Sequence, residues 1–250
     1  MGRVLTIFNQ KGGVGKTTTV VNVSTALGIL GKKTLVIDMD PQGNATSGLG
    51  LFEFEEMIYD YVMEQNPNAV YSTKYENVDL IPSGREFAGV EIELARLGDW
   101  QFKLREMVAK IKDRYEYIII DSPPSLGILS MMALVASDGL IIPVQCEYYA
   151  LEGVSQLMDT ITLVRENFNP QLEIDGVLMC MFDGRTNLSL QVIDEVKGFF
   201  KDKVYLTMIP RNVRLAEAPS FGMSIFEYDK NSKGGQSYFQ LAKEIVGEEV

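Results

Sequence analysis

Asn9-Gln10-Lys11-Gly12-Gly13-Val14-Gly15-Lys16-Thr17-Thr18 brings three glycines, two lysines and two hydroxyls together in ten residues. Glycines let a backbone wrap closely around an anion with its N–H groups turned inward. A helix starting near Lys16 adds its N-terminal partial positive charge. In such a loop Lys16 reaches the β- and γ-phosphates of a nucleotide, and the Thr17 hydroxyl ligates Mg²⁺. Carboxylates follow at two later points. In Val36-Ile37-Asp38-Met39-Asp40-Pro41-Gln42-Gly43-Asn44 the two acids alternate, so both leave a strand end on the same side. Acids at such a strand end hold a magnesium-bound water or orient the attacking one. Tyr117-Ile118-Ile119-Ile120-Asp121 is a Walker B pattern, a buried strand that delivers one carboxylate to the magnesium shell. The chain has no histidine, so proton transfer falls to carboxylates, Lys, Tyr or water. No general base stands out, which suits phosphoryl transfer, where positioning and electrostatics carry most of the catalysis. Slow intrinsic hydrolysis is expected, with a partner completing the site.

These groups need strands to carry them. Short, almost continuously apolar runs predict strands at 4–8, 34–37, 78–81, 117–120, 140–144, 174–179 and 204–208. Val20, Val23, Leu27 and Leu30 share one face of a first helix, with Gly31 as its C-terminal cap. Residues 101–113, 151–167, 187–200 and 236–246 also read as helices, and the acidic stretch 52–77 as helix plus loop. Strand–helix alternation along the whole chain predicts an α/β fold: a three-layer, mostly parallel twisted sheet with helices on both faces. No linker or repeat divides it, so residues 1–250 are expected to form one domain.

The chain has 250 residues and 46% apolar composition, enough for a substantial core. With 23 Lys and Arg against 34 Asp and Glu, its net charge is −11. That counts against a uniformly basic nucleic-acid binder but leaves room for a local patch. Residues 53–99 hold three basic and eleven acidic side chains, net −8, whereas 183–214 hold six and four, net +2. No apolar run approaches a membrane span, and the N-terminus lacks the features of a secretory signal. Gly2 and Thr6 match a loose myristoylation pattern, but residues 3–8 read as a buried strand. The first strand begins near residue 3, so no N-terminal helix-turn-helix is expected. Cys146 and Cys180 are too few for a disulfide framework and suit a reducing cytoplasm.

KGGVGKTT departs from the usual G-x-x-x-x-G-K-[ST] pattern, with Gln10 where that pattern has Gly and a second lysine, Lys11, at the loop's entrance. It resembles the deviant Walker A of the ParA/MinD superfamily of P-loop ATPases. That resemblance implies that Lys11, Gly12, Gly13, Val14, Gly15, Lys16, Thr17 and Thr18 hold ATP, with Lys11 contacting the phosphates across a dimer interface. Asp38–Asn44 looks like the family's first switch: Asp40 positions water, and Asp38 supports the phosphate loop and the Mg²⁺ shell. Asp121-Ser122-Pro123-Pro124 looks like the second. Met208–Ser220, Asp183–Asn187 and Lys230–Gln236 resemble the chromosome-partitioning Soj/ParA branch. There the resemblance implies that Pro210 and Asn212 border the adenine, and that Arg185 and Arg214 bind double-stranded DNA nonspecifically in the ATP-bound homodimer. Arg211 serves either the interface or the nucleotide. The implied protein is a cytoplasmic, nucleoid-associated DNA-partitioning ATPase using ATP and Mg²⁺, stimulated by a ParB-like centromere-binding partner. A ParA-like ATPase that positions another cargo is the alternative. A MinD-like membrane regulator fits less well, because the tail at 241–250 ends in acids that anionic lipid would repel. A relative of the nitrogenase iron protein would want cysteines near the switches, where none stand.

Overall fold

The computed structural model describes residues 2–63, 66, 69–147 and 150–248. The strands are β1 (Arg3–Ile7), β2 (Thr34–Asp38), β3 (Tyr71–Ser72), β4 (Val78–Ile81), β5 (Tyr117–Asp121), β6 (Gly139–Gln145) and β7 (Glu173–Cys180). They form one sheet in the order β3-β4-β2-β5-β1-β6-β7, parallel throughout except for β3, which pairs antiparallel with β4. The helices are α1 (Lys16–Ile29), α2 (Asn44–Gly48), α3 (Ile58–Met63), α4 (Val90–Leu94), α5 (Lys103–Ile111), α6 (Ile128–Ala136), α7 (Ala150–Asn167), α8 (Asn187–Phe200), α9 (Val213–Glu217), α10 (Ile225–Asp229) and α11 (Lys233–Val246).

Strand residues alternate between two cores, as the period of the pleat requires. Leu5, Ile7, Val36 and Ile119 face the layer built by α1 and α11, while Val4, Leu35, Ile37, Ile118 and Ile120 face α3 to α6. Beyond β1, the strands β6 and β7 pack under α7 and α8 through Leu140, Ile142, Val177 and Met179. The three-layer arrangement predicted from alternation is the one observed. Helix α1 buries the predicted Val20, Val23 and Leu27 but shows no single buried stripe, because every residue from Thr19 to Gly28 is buried. Gly31 takes a left-handed φ of 74° just past the helix end, as its cap position asks. Among the described residues no helix is long and apolar enough to cross a membrane.

Residues 204–208 do not form the strand predicted there. Val204 makes only an isolated bridge to Val177, although Tyr205 and Ile209 still donate to the carbonyls of Val177 and Met179 at 3.0 and 2.9 Å. The Glu244 carboxylate of α11 takes the N–H groups of Leu206 and Thr207 at 2.7 and 3.1 Å, so the ladder is broken between them. The helices α2, α4, α9 and α10, each of five residues, went unread because they are too short to show a period, and two further elements were also missed. Helix α6 is almost wholly apolar, with seven of nine residues buried, so it shows no amphipathic period. Strand β3, only two residues long, lies in the stretch expected to be helix plus loop, where α3 supplies the helix.

Candidate functional site

The C-terminal ends of β1, β2 and β5 lie side by side, because Asp121 is in register with both Ile7 and Asp38. The loop from β1 to α1, the Asp38 turn and Asp121 therefore meet at one edge of the sheet. Gly13 and Gly15 take φ values of 75° and 99°, the left-handed region that admits glycine without penalty. A Cβ built on Gly12 or Gly13 would meet no atom within 4 Å, and one on Gly15 would sit 3.7 Å from Cys180 Sγ. Asn9 braces the loop: its Nδ2 donates to the Pro143 carbonyl at 2.7 Å, and its Oδ1 accepts from Lys11 N–H at 3.0 Å. Val14 is buried beneath the loop. Thr17 and Thr18 also border a cavity of about 370 Å³ that runs to Asn44, Pro219 and Ser220.

Lys16 is only 7% exposed and donates from Nζ to the Lys11 carbonyl at 3.2 Å. Burial pushes its pKa down, and the negative charges of Asp121 and Asp40 pull it partly back. The Thr17 hydroxyl donates to Asp121 Oδ2 at 2.8 Å, while Asp121 Oδ1 is buried with no hydrogen-bond partner. Burial, then the neighbouring Asp38 charge, holds the Asp121 carboxyl well above the usual carboxylate range. An unsatisfied buried carboxylate oxygen beside a threonine hydroxyl is the hard-oxygen donor set that Mg²⁺ prefers. Among the described residues no three acidic, His or Cys side chains converge into a complete metal site. The donor set thus fits a metal that draws most of its shell from phosphate and water, as Mg²⁺ does.

Asp38 is fully buried with both oxygens engaged. Oδ1 accepts from Asp40 N–H at 3.1 Å, and Oδ2 accepts from Thr46 N–H and its hydroxyl at 2.9 and 2.8 Å. Burial raises its pKa to about 6, against the lowering effect of those hydrogen bonds. Thr46 Oγ1 in turn accepts from Ser83 N–H at 2.9 Å, which ties the Asp38 turn to the end of β4. Asp40, 7% exposed, closes its own turn by accepting from Gln42 N–H at 2.9 Å. Asp38 thus stands as a latch behind the turn, and Asp40 stands at its front.

Pro210 and Asn212 lie on the segment that passes the end of β7. Phe182 pairs with Pro210, two residues beyond the Cys180 that approaches Gly15. Asn212 caps α9, with Oδ1 accepting from Arg214 N–H at 2.8 Å. Lys11 Nζ lies 3.9 Å from Glu147, whose other oxygen lies 3.6 Å from Arg211 and accepts from Gln145 at 2.7 Å. Glu147 and Thr46 were both missed. The only signal for Glu147 was its place just past the end of a predicted strand.

Arg185 and Arg214 are well exposed and each is held by neighbouring acids. Arg185 forks onto Asp183 through Nε and a terminal nitrogen at 2.8 and 2.7 Å, and that guanidinium holds the Asp183 carboxyl at about 2. Arg214 pairs with Glu217 at 3.0 Å and Asp229 at 3.7 Å, 6.0 Å from the centre of the Tyr228 ring.

The AAA domain family matches residues 2–174. The sporulation initiation inhibitor protein Soj of Bacillus subtilis is 52% identical over 98% of this chain and 99% of its own. The chromosome partitioning protein ParA of Myxococcus xanthus is 46% identical over 98% of this chain and 88% of its own. A crystal structure of cobyrinic acid a,c-diamide synthase from Mycobacterium smegmatis with bound ADP and magnesium superposes with a TM-score of 0.86. It shares 32% identity over 98% of this chain and 94% of that one.

Proposed function

The chain belongs to the Soj/ParA family of chromosome-partitioning ATPases, and on that premise we propose that it segregates DNA through an ATP-dependent, DNA-binding homodimer. It is an ATPase that works with ATP and Mg²⁺. The observation that carries the site assignment is the glycine loop set against Thr17 and Asp121, with one Asp121 oxygen buried and unpartnered.

The loop amides of residues 11–18 and the start of α1 bind the phosphates. Lys16 spans the β- and γ-phosphates. Thr17 and Asp121 hold Mg²⁺, supported from the side by Asp38 and Asp40. When bound, the metal neutralises charge on the transferring phosphoryl group. Asp40 orients the water that attacks the γ-phosphorus as the bond to the bridging oxygen breaks, giving ADP and phosphate. Pro210 packs on the adenine and Asn212 turns its remaining amide nitrogen to the purine edge. Lys11 is exposed enough to leave Glu147 and reach the nucleotide of a second copy, and Arg211 beside it serves that same interface.

Dimerisation doubles the arginines that meet DNA. Arg185 and Arg214 contact backbone phosphates and read no sequence. Affinity then rises with the number of contacts, which ties DNA binding to the ATP-bound state. A ParB-like partner stimulates hydrolysis and returns the chain to a form that leaves the nucleoid. A DNA titration with ATP, ADP and no nucleotide, at two salt concentrations and alongside a mass measurement, tests this reading. DNA retention that requires ATP, accompanies a doubling of mass and weakens with salt is the expected result. Equal retention in all three nucleotide states would overturn it.

A further inference from the structure

Asp40 can orient water only if the turn that carries it is held still, and the groups that hold it lie behind the turn. Asp38, Thr46 and Ser83 form a buried chain there, with exposures of 0, 3 and 2%. The Thr46 hydroxyl and its N–H both donate to Asp38 Oδ2, at 2.8 and 2.9 Å, and Thr46 Oγ1 accepts from Ser83 N–H at 2.9 Å. A backbone N–H can only donate, so the single hydroxyl proton of Thr46 is committed to the carboxylate. Asp38 Oδ1 then takes the Asp40 N–H at 3.1 Å. The Ser83 hydroxyl is buried with no hydrogen-bond partner, so the tie to the end of β4 runs through its backbone. The turn also packs directly on that strand end. Gly43 has a φ of 63°, and a Cβ there would meet the Ser83 carbonyl oxygen at 2.8 Å.

We propose that Thr46 is a positioning residue for hydrolysis: its hydroxyl carries the register of β4 through Asp38 to the Asp40 backbone, and so fixes where Asp40 holds the attacking water. This rests on the reading above that Asp40 orients water, and extends it to a residue outside the phosphate loop and the carboxylates. The attacking water must lie in line with the γ-phosphorus, and a misplacement of about 1 Å costs about 100-fold in rate. Among the described residues no other side chain donates to Asp38. Loss of the hydroxyl leaves Asp38 one donor short and Ser83 N–H without its acceptor, in a place closed to water. The carboxylate must then turn to recover a donor, and the Asp40 backbone turns with it.

The test uses the full chain with ATP and Mg²⁺. Thr46→Val keeps the shape of the side chain and removes the hydroxyl. Its kcat should fall at least about tenfold, while ATP affinity by equilibrium dialysis stays within about twofold and the ATP-dependent mass change persists. Thr46→Ser keeps the hydroxyl and should hold kcat within about twofold of the parent. Thr46→Cys offers only a weak donor and should fall between them; it takes the place of Thr46→Val in every comparison if that variant does not fold. Hydrogen exchange reads the Asp40 amide directly, and it should quicken about tenfold or more in Thr46→Val but not in Thr46→Ser. In an Asp40→Ala background, Thr46→Val should cost nothing further in single-turnover hydrolysis, because the two residues act as one. Thr25→Val is the control: this buried threonine of α1 donates to the Val21 carbonyl at 2.8 Å, and its loss should lower Tm without lowering kcat. An unchanged kcat or unchanged Asp40 amide exchange in Thr46→Val overturns the proposal. So does loss of ATP affinity or of the mass change, which would place Thr46 in binding. A Thr46→Ser variant as slow as Thr46→Val would assign the effect to the methyl group, and further loss on top of Asp40→Ala would route it past Asp40. Equal loss of kcat in Thr25→Val would leave only general destabilisation. Parental turnover by Asp40→Ala would sink the water-positioning reading itself, and this route with it. A slow Asp40→Ala beside an unaffected Thr46→Val would sink the proposal alone.

Discussion

Lys16 carries its charge in a nearly buried position, where only a carbonyl at 3.2 Å and the nearby Asp121 and Asp40 offset the loss of water. Such an ammonium is costly to hold unless an anion joins it, so its contribution belongs to the nucleotide-bound state. Lys16→Ala should lower ATP affinity by about 100-fold or more, on the scale of a lost charge-assisted contact in a dry site. Equilibrium dialysis with labelled ATP checks this, and retained affinity would remove Lys16 from the phosphate site. Asp40→Ala separates binding from chemistry. ATP affinity should change little, turnover should fall by about 100-fold, and light scattering should show an ATP-bound dimer. A variant that stays monomeric with ATP would take the water-positioning role from Asp40. The convergence of Lys16, Thr17 and Asp121 was legible in the sequence because their placement follows from spacing within one loop or one strand. Thr46 and Glu147 were not, because what they do depends on partners brought close by folding: Ser83 for Thr46, and Arg211 and Lys11 for Glu147.

Elements were legible where their pattern is set locally and obscure where a neighbour decides. All six parallel strands begin and end within a residue of where apolar runs place them, and β4 matches at both ends. The failed strand at 204–208 shows the other case. Its residues are apolar and β-branched enough to pair, and Tyr205 does donate to β7. Yet Glu244, thirty-eight residues from Leu206, satisfies two backbone N–H groups that a further ladder would need. The carboxylate therefore stitches α11 to the segment that leads into Pro210 and Asn212. Glu244→Ala leaves both N–H groups without their acceptor and should destabilise the fold by about 1–3 kcal/mol, the range for losing a charged hydrogen-bond partner. For a chain of this size that corresponds to a fall of about 2–4 °C in Tm per kcal/mol. Thermal melts read the change, and an unchanged Tm would mean that water replaces the carboxylate at no cost. Helix α6 escaped notice for a related reason: covered by the sheet and by α5, it needs no polar face.

At the scale of the molecule, charge decides what the arginines can do alone. The chain carries −11, and both candidate DNA contacts are already engaged by acids of the same surface. Arg185 spends two nitrogens on Asp183, and Arg214 is shared between Glu217 and Asp229. A phosphate must displace these partners, and exposed pairs are weak enough to be displaced when several phosphates bind together. One copy offers two such arginines, and a two-fold dimer offers four. Nonspecific binding falls with salt by about 0.9 per phosphate contact on logarithmic axes, so four contacts account for a slope of about 3–4. Arg185→Glu with Arg214→Glu should remove that part of the salt dependence and most of the retention, while the ATP-dependent mass change persists. Asp183→Asn argues from the opposite side. Freed of its carboxylate, Arg185 should bind phosphate more readily, raising DNA affinity several-fold at low salt with the slope unchanged, since the number of contacts stays the same. The two variants together separate charge from contact. If Asp183→Asn steepened the slope, Arg185 would be gaining a contact that it lacks in the parent chain. If it left affinity untouched, the Asp183 pair would be no obstacle, and the acidity that holds the single copy off DNA would reside elsewhere on the surface.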